Sequence, residues 1–327
     1  MIWLTWRQFR GQAVVALAAL AVLTAYLVFL GVRLRDAYEQ HVECAGCTLS
    51  AARQALENGY ATQVTLAGLL ILVAPAVIGA FWGAPLIARE LETGTYRLVW
   101  NQSVTRVRWL AVKLGVVVAA AVAVTGALSL LLTWAASPYD TLFGHRFEPL
   151  LFPARNVAPL GYALFAVVAG VAIGLLARRT VVAMAITLAV FTALQILMPA
   201  VVRPHLQPPV TEVVLFRSEA AEGIGITEEG HVSVQGYSVP GAWMLTFTGD
   251  LRDAAGELVS RDDVDRCFTG IYEQDVACLD AMNLHYTAEY QPADRYWTFQ
   301  WLESGIYVLL AGLVAGFTFW RIRRSLN

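Results

Sequence analysis

The chain has 327 residues, 57% hydrophobic and 15% charged, with a formal net charge of −2. Its apolar residues stand in long uncharged blocks, which excludes a soluble globular fold, where charge interrupts them. The only lysine is Lys113, so there is no G-x-x-x-x-G-K-[ST] phosphate loop. H-E-x-x-H and G-x-S-x-G are also absent, and nothing supports a self-contained enzyme.

Residues 1–12 place Ile2, Trp3, Trp6 and Phe9 on one helical face with Arg7 and Arg10 beside it, the pattern of an interfacial elbow helix. The next block is too long for a cleavable signal peptide, and no A-x-A site precedes an obvious mature start. The uncharged blocks are Ala13–Val32, Val64–Ala88, Leu114–Ala136, Val157–Ala177, Thr180–Val202 and Ser304–Trp320. Each is near the roughly 20 residues that cross about 30 Å of hydrocarbon. The expected fold is an all-α polytopic membrane protein with six transmembrane helices. Its organisation is an elbow (1–12), a five-span region (13–202), an extracytoplasmic domain (203–303) and a sixth span with a basic tail (304–327).

The first connection, Arg33–Gln63, reads as helical, with Thr48 to Asn58 forming a helix that ends at Gly59. Cys44 and Cys47 would staple its two pieces. Span two carries Pro75 and Gly79, with Pro85 near its end. Proline removes an N–H and bends a helix, which a membrane tolerates where neighbours or water satisfy the freed carbonyl. This predicts either a bent, pathway-lining helix or a static kink.

Arg89–Lys113 follows, the only sizeable polar stretch on its face. It carries Arg89, Arg97, Arg106, Arg108 and Lys113, with Glu90 and Glu92 ahead of a Thr93-Gly94-Thr95 turn. Tyr96, Val99 and Trp100 stand at i, i+3 and i+4 and share one helix face. Such a helix, tethered at both ends to spans, can press on a soluble partner or rest on lipid headgroups. Span three aligns Thr125, Ser129 and Thr133. A short connection, Ser137–Asn156, leads to span four, and Arg178-Arg179 alone joins spans four and five. Gly170 and Gly174, and Gly312 and Gly316, are small-xxx-small pairs that let helices approach. Gln195 is the most polar side chain deep in a span and must face protein or a water-filled cavity. The spans show no buried Asp, Glu or Arg of the kind that ion-coupled carriers need, and no inverted repeat.

Arg203–Glu303 reads as a small α/β domain. Val210–Phe216, His231–Val239 and Trp243–Thr248 are strand-like, Arg261–Phe268 and Ile271–Leu284 are helical, and Tyr290–Glu303 is densely aromatic.

Charge orients the spans. The termini and the even-numbered connections hold 12 of the 23 basic residues and only Glu90 and Glu92, a balance of +10 (12 − 2). The other connections hold 11 basic residues and 23 carboxylates, a balance of −12 (11 − 23). Basic residues are retained on the cytoplasmic side, so both termini are expected inside. Cys44, Cys47, Cys267 and Cys278 then lie outside, where disulfides form, and four cysteines allow three pairings. His41 with Cys44 and Cys47 lacks a fourth ligand at metal spacing, so no metal site is expected.

At Arg89–Lys113 the chain resembles the membrane subunits of type-2 ABC exporters. That family has an interfacial N-terminal helix, six spans with both ends inside, and a first cytoplasmic connection of the form R-E-x-E-x-G-T…R…K. Arg89, Glu90, Glu92, Gly94, Thr95, Arg106 and Lys113 match it. The closing YQPADRYWTFQWLESG with a basic tail is similar to bacterial members. The resemblance implies a dimer of permease subunits in the bacterial plasma membrane, above separate ABC ATPase subunits. ATP and magnesium would be bound there, and no cofactor by this chain. Arg89, Glu90, Glu92, Gly94, Thr95, Tyr96, Val99 and Trp100 would couple to the ATPase. Spans two and five would line the path, which makes Pro75, Gly79 and Gln195 the candidate substrate contacts. The apolar spans suit an amphipathic substrate moved outward; nucleic acid is not an expected partner. The alternative is a membrane-anchored sensor or scaffold whose outer domain binds a ligand.

Overall fold

The computed structural model describes residues 2–42, 48–94, 105–144, 146–218, 223–246 and 248–324; for residues 2–13 and 16 the backbone alone is described. It forms two compact units, one of residues 1–203 with 297–327 and one of residues 204–296. Among the described residues, six helices are long and apolar enough to cross a membrane.

Helix α1 (Ile2–His41) carries span one and is continuous from its second residue, with no break at residue 12 between elbow and span. Helix α2 (Leu49–Ile78) opens span two. Its N-cap is Thr48, whose side chain accepts a hydrogen bond from the Ala51 amide at 3.3 Å. The helix does not end at Gly59, because the 3.6-residue apolar pattern carries through a single glycine at a cost of about 1 kcal/mol. Pro75 lies inside α2, and a π-helical turn, Gly79–Gly83, follows it. The span then resumes as α3 (Ala84–Thr93), which stops at Gly94 in the left-handed conformation (φ 71°). Span three is α4 (Arg106–Ala135), capped by the Thr105 hydroxyl, which accepts from the Arg108 amide at 3.3 Å. Short helix α5 (Ser137–Phe143) precedes span four, α6 (Ala158–Ala177), and span five, α7 (Thr180–Leu197), which ends in a second π-helical turn, Met198–Val202.

Span four is the centre of the bundle: 72% of its apolar window is buried, against 22–44% in the other spans. Its glycines explain how it is reached. A Cβ on Gly170 would stand 2.5 Å from the Gly79 carbonyl oxygen, and one on Gly174 would stand 2.5 Å from that of Ala84. From the other side, Cβ atoms on Gly79 and Gly83 would meet the Ala166 and Val167 oxygens at 2.6 and 2.7 Å. Spans two and four thus touch backbone to backbone through reciprocal glycine pairs. The Gly312/Gly316 pair behaves otherwise, since a Cβ on either meets nothing within 4 Å among the described residues.

The second unit is built on two three-stranded antiparallel sheets. Strands β1 (Val210–Leu215), β2 (Gly223–Ile226), β3 (Val232–Gln235), β4 (Trp243–Met244) and β5 (Thr248–Asp250) precede helix α8 (Tyr272–Asp280) and strand β6 (His285–Gln291). The sheet orders are β1-β6-β4 and β2-β3-β5. Phe216, Val232, Leu251, Val264, Leu279 and Tyr286 fill the core. The helix expected over Ile271–Leu284 ends at Asp280, and the chain then enters β6, whose inward residues Tyr286 and Ala288 alternate with outward ones. Cys267 is bonded to Cys278. Cys44 and Cys47 lie outside the described residues. Span six, α9 (Tyr296–Arg324), begins eight residues before the uncharged block at Ser304, because Gln300 and Glu303 are buried by partners of their own.

Candidate functional site: the junction at the end of span two

The last turns of α3 gather the polar residues of the basic face. Glu90 and Glu92 are two residues apart, so at 100° per residue they leave the helix on nearly opposite sides. Each finds a different span. The buried Lys113 ammonium, in the second turn of span three, donates to Glu90 Oε1 and also lies 4.8 Å from the centre of the Trp109 ring. Glu92 Oε2 accepts from the backbone N–H of Thr180 at 3.0 Å and from its hydroxyl at 2.7 Å. Thr180 is the first residue of span five. Ala84 and Ala88 pack on Ala183, so α3 lies directly against that span. Arg89 is exposed, and its carbonyl accepts from the Thr93 hydroxyl at 2.8 Å. Gly94 ends the helix in a backbone conformation that L-residues adopt only at a cost of about 1–2 kcal/mol. Thr95, Tyr96, Val99 and Trp100 lie outside the described residues, so the structure describes the base of the 89–113 segment and not its middle.

The candidate pathway residues lie on spans two and five. Pro75 and Gly79 are buried, and Gly79 packs against span four. Gln195 is half-buried and accepts from the Tyr307 hydroxyl of span six at 3.4 Å; its Nε2 is buried with no hydrogen-bond partner among the described residues. A separate apolar groove of about 620 Å³ opens between spans one, two and three. Its walls include Leu20, Leu23, Val77, Phe81, Trp82 and Leu128.

A charged cluster that the sequence does not reveal lies at the two ends of the polar 203–303 segment, where Arg203 and Glu303 are buried together. Arg203, 1% exposed, donates through Nε and Nη2 to the fully buried Glu303 carboxylate at 2.8 and 3.0 Å, and the buried Tyr162 hydroxyl donates to the same group. The Arg203 guanidinium covers the Phe152 ring at 4.2 Å. Buried charges of both signs therefore do occur at the ends of spans five and six. The available signal was that opposite charges bracket the inserted unit, at the last residue before it and the first residues of the final span. Next to them, Gln300 Oε1 accepts from the amides of Val157 and Ala158 at 3.2 and 2.9 Å, capping span four from span six.

Residues 17–203 match the model of a family described as ABC-2 membrane transporter related. The chain belongs to this family. The match spans the first five apolar helices and the whole described part of the α3 junction, and it ends at Arg203, where the inserted unit begins. Neither a curated protein nor a solved structure matches the chain. It is a multi-pass membrane protein and a transmembrane transporter subunit.

Proposed function

We propose that the chain is the permease subunit of an ATP-driven exporter, with its basic face and both termini in the cytoplasm of a bacterium. Two permease subunits form the translocation pathway. A separate ABC ATPase, holding ATP and magnesium, engages the 89–113 segment. The observation that carries this reading is the junction at the end of α3. Two carboxylates there tie the end of α3 to spans three and five, just ahead of the left-handed glycine from which the segment emerges, on the face where the positive charge collects. Closure of the ATPases moves that segment and shifts the bundle between inward- and outward-facing states, provided ATP favours one state over the other. The apolar groove beside span two, and spans with few fixed charges, suit an amphipathic substrate moved outward. Gln195, on span five outside that groove, is a further polar contact for the substrate, and Pro75 and Gly79 set the shape of span two.

The test is the ATPase activity of the complex in lipid nanodiscs, compared with the ATPase alone. Gly94→Pro removes the left-handed cap and Glu92→Arg replaces the acceptor by a cation. Both are expected to abolish stimulation by the permease while membrane insertion is kept. Full stimulation in both variants refutes the assignment. The sensor or scaffold reading draws on the separately packed unit of residues 204–296. Recovery of a signalling protein in place of an ATPase would favour it.

A further inference from the structure

We infer that Glu92 is a positioning residue that makes span five follow the coupling segment, by capping the N-terminus of that span from another helix. This rests on the exporter reading and adds a route for the motion. The first amides of a helix have no partners within it, and a side-chain oxygen just ahead normally accepts from one of them. In span five the residue in that place, Arg179, is extended (φ −130°, ψ 122°) and makes no such bond. The acceptor is supplied instead by Glu92, 88 residues earlier in the chain, and it takes both the amide and the hydroxyl of Thr180. An anion at a helix N-terminus also meets the positive end of the helix dipole.

Three features make this bond a transmitter of force. The connection between spans four and five has no slack: its two residues are Arg178, held at φ 54°, and Arg179. Glu92 lies two residues before Gly94, where the helix ends and the coupling segment leaves. Above α3, the π-helical turn Gly79–Gly83 and Pro75 interrupt the regular hydrogen-bond ladder of span two, so α3 can pivot about its close contact with span four at Gly174 without carrying the rest of span two. Glu90 performs the same service toward span three through Lys113. The E-x-E spacing thus splits one displacement between two spans. The Gln300 cap on span four is the static counterpart, being fully buried, whereas Glu92 and Thr180 are not.

The test is hydrogen exchange of the full chain with its ATPase, in nanodiscs of phosphatidylethanolamine and phosphatidylglycerol, with and without ATP. Glu92→Ala is expected to speed exchange at amides 180–183 roughly fivefold, the effect of losing a helix cap. It should also erase the ATP-dependent change there, while the ATP-dependent change at 89–92 persists. Glu92→Gln retains an accepting oxygen and should restore protection to within about twofold. An ATP-dependent change at 180–183 that survives in Glu92→Ala, or protection there that is unaltered, overturns the inference alone. A wild-type chain that recruits no ATPase overturns the exporter reading and this role with it.

Discussion

Removing one charge from the Arg203–Glu303 pair should be far more harmful than removing both. The guanidinium and carboxylate are bidentate at 2.8 and 3.0 Å, with 2% or less of either side chain exposed. Neither charge can recover its hydration if the other is lost. Stranding a buried charge costs about 3–5 kcal/mol, whereas replacing the whole pair by apolar residues of similar volume is neutral or stabilising by about 1–4 kcal/mol. Glu303→Leu and Arg203→Met are therefore each expected to destabilise by about 3–5 kcal/mol, and the double variant by less than either single. Tyr162→Phe removes a neutral donor to a charged acceptor and should cost about 1.5–3 kcal/mol. The assay is unfolding in one fixed detergent, comparing wild type, both singles, the double and Tyr162→Phe. Additive single-site effects would show that the pair is not coupled and would refute the reasoning.

Gly79→Ala and Gly170→Ala force a Cβ within 2.6 Å of a backbone oxygen and should cost about 1–3 kcal/mol by overpacking, while Gly312→Ala, facing open space, should leave the midpoint of unfolding of the monomeric chain nearly unchanged. Reducing Cys267–Cys278 opens a loop closed over a sequence separation of 11 and should destabilise the second unit by about 3 kcal/mol on the chain-entropy model; a membrane-impermeant thiol reagent should label neither cysteine until reductant is added. The Thr269 hydroxyl holds the Asp275 carboxyl below its ordinary 3.8, and the Ser218 hydroxyl does the same for Asp280. Both lowered values contribute stability that is complete above about pH 4 and is lost as pH falls through the folded-state values. Asp275→Asn with Asp280→Asn should flatten the acid limb of unfolding of the second unit in the full chain; an unchanged limb contradicts the assignment.

The membrane architecture was legible because it rests on block length and charge asymmetry, two signals that need no tertiary information. Glu90, Glu92, Gly94 and Lys113 were legible as a group, since they lie close together on one polar stretch. Their partners were not: nothing in a single sequence indicates that Glu92 reaches Thr180, because the contact depends on the glycine-mediated approach of span two to span four, which also brings α3 onto span five. The same limit hid Arg203 and Glu303. Each sits just beyond the edge of an apolar block, where a charge normally reaches water, and a hundred residues separate them in sequence. Strand β6 was masked by the helical pattern before it and the aromatic run after it, which begins at Tyr290, within the strand itself. The glycine spacing in span six permits a close approach, and within this chain no described neighbour takes it up, because spacing does not say whether a neighbour is there.

An exporter permease must drive, and be driven by, a separate ATPase. The measurement is a mild-detergent purification of the tagged chain from its native cell, with mass spectrometry and an ATPase assay on the eluate. The predicted result is an ABC ATPase whose hydrolysis is stimulated by the wild-type chain and no longer by Glu92→Arg or Gly94→Pro. Recovery of the chain alone or with a signalling protein, and no hydrolysis in the eluate, would contradict it.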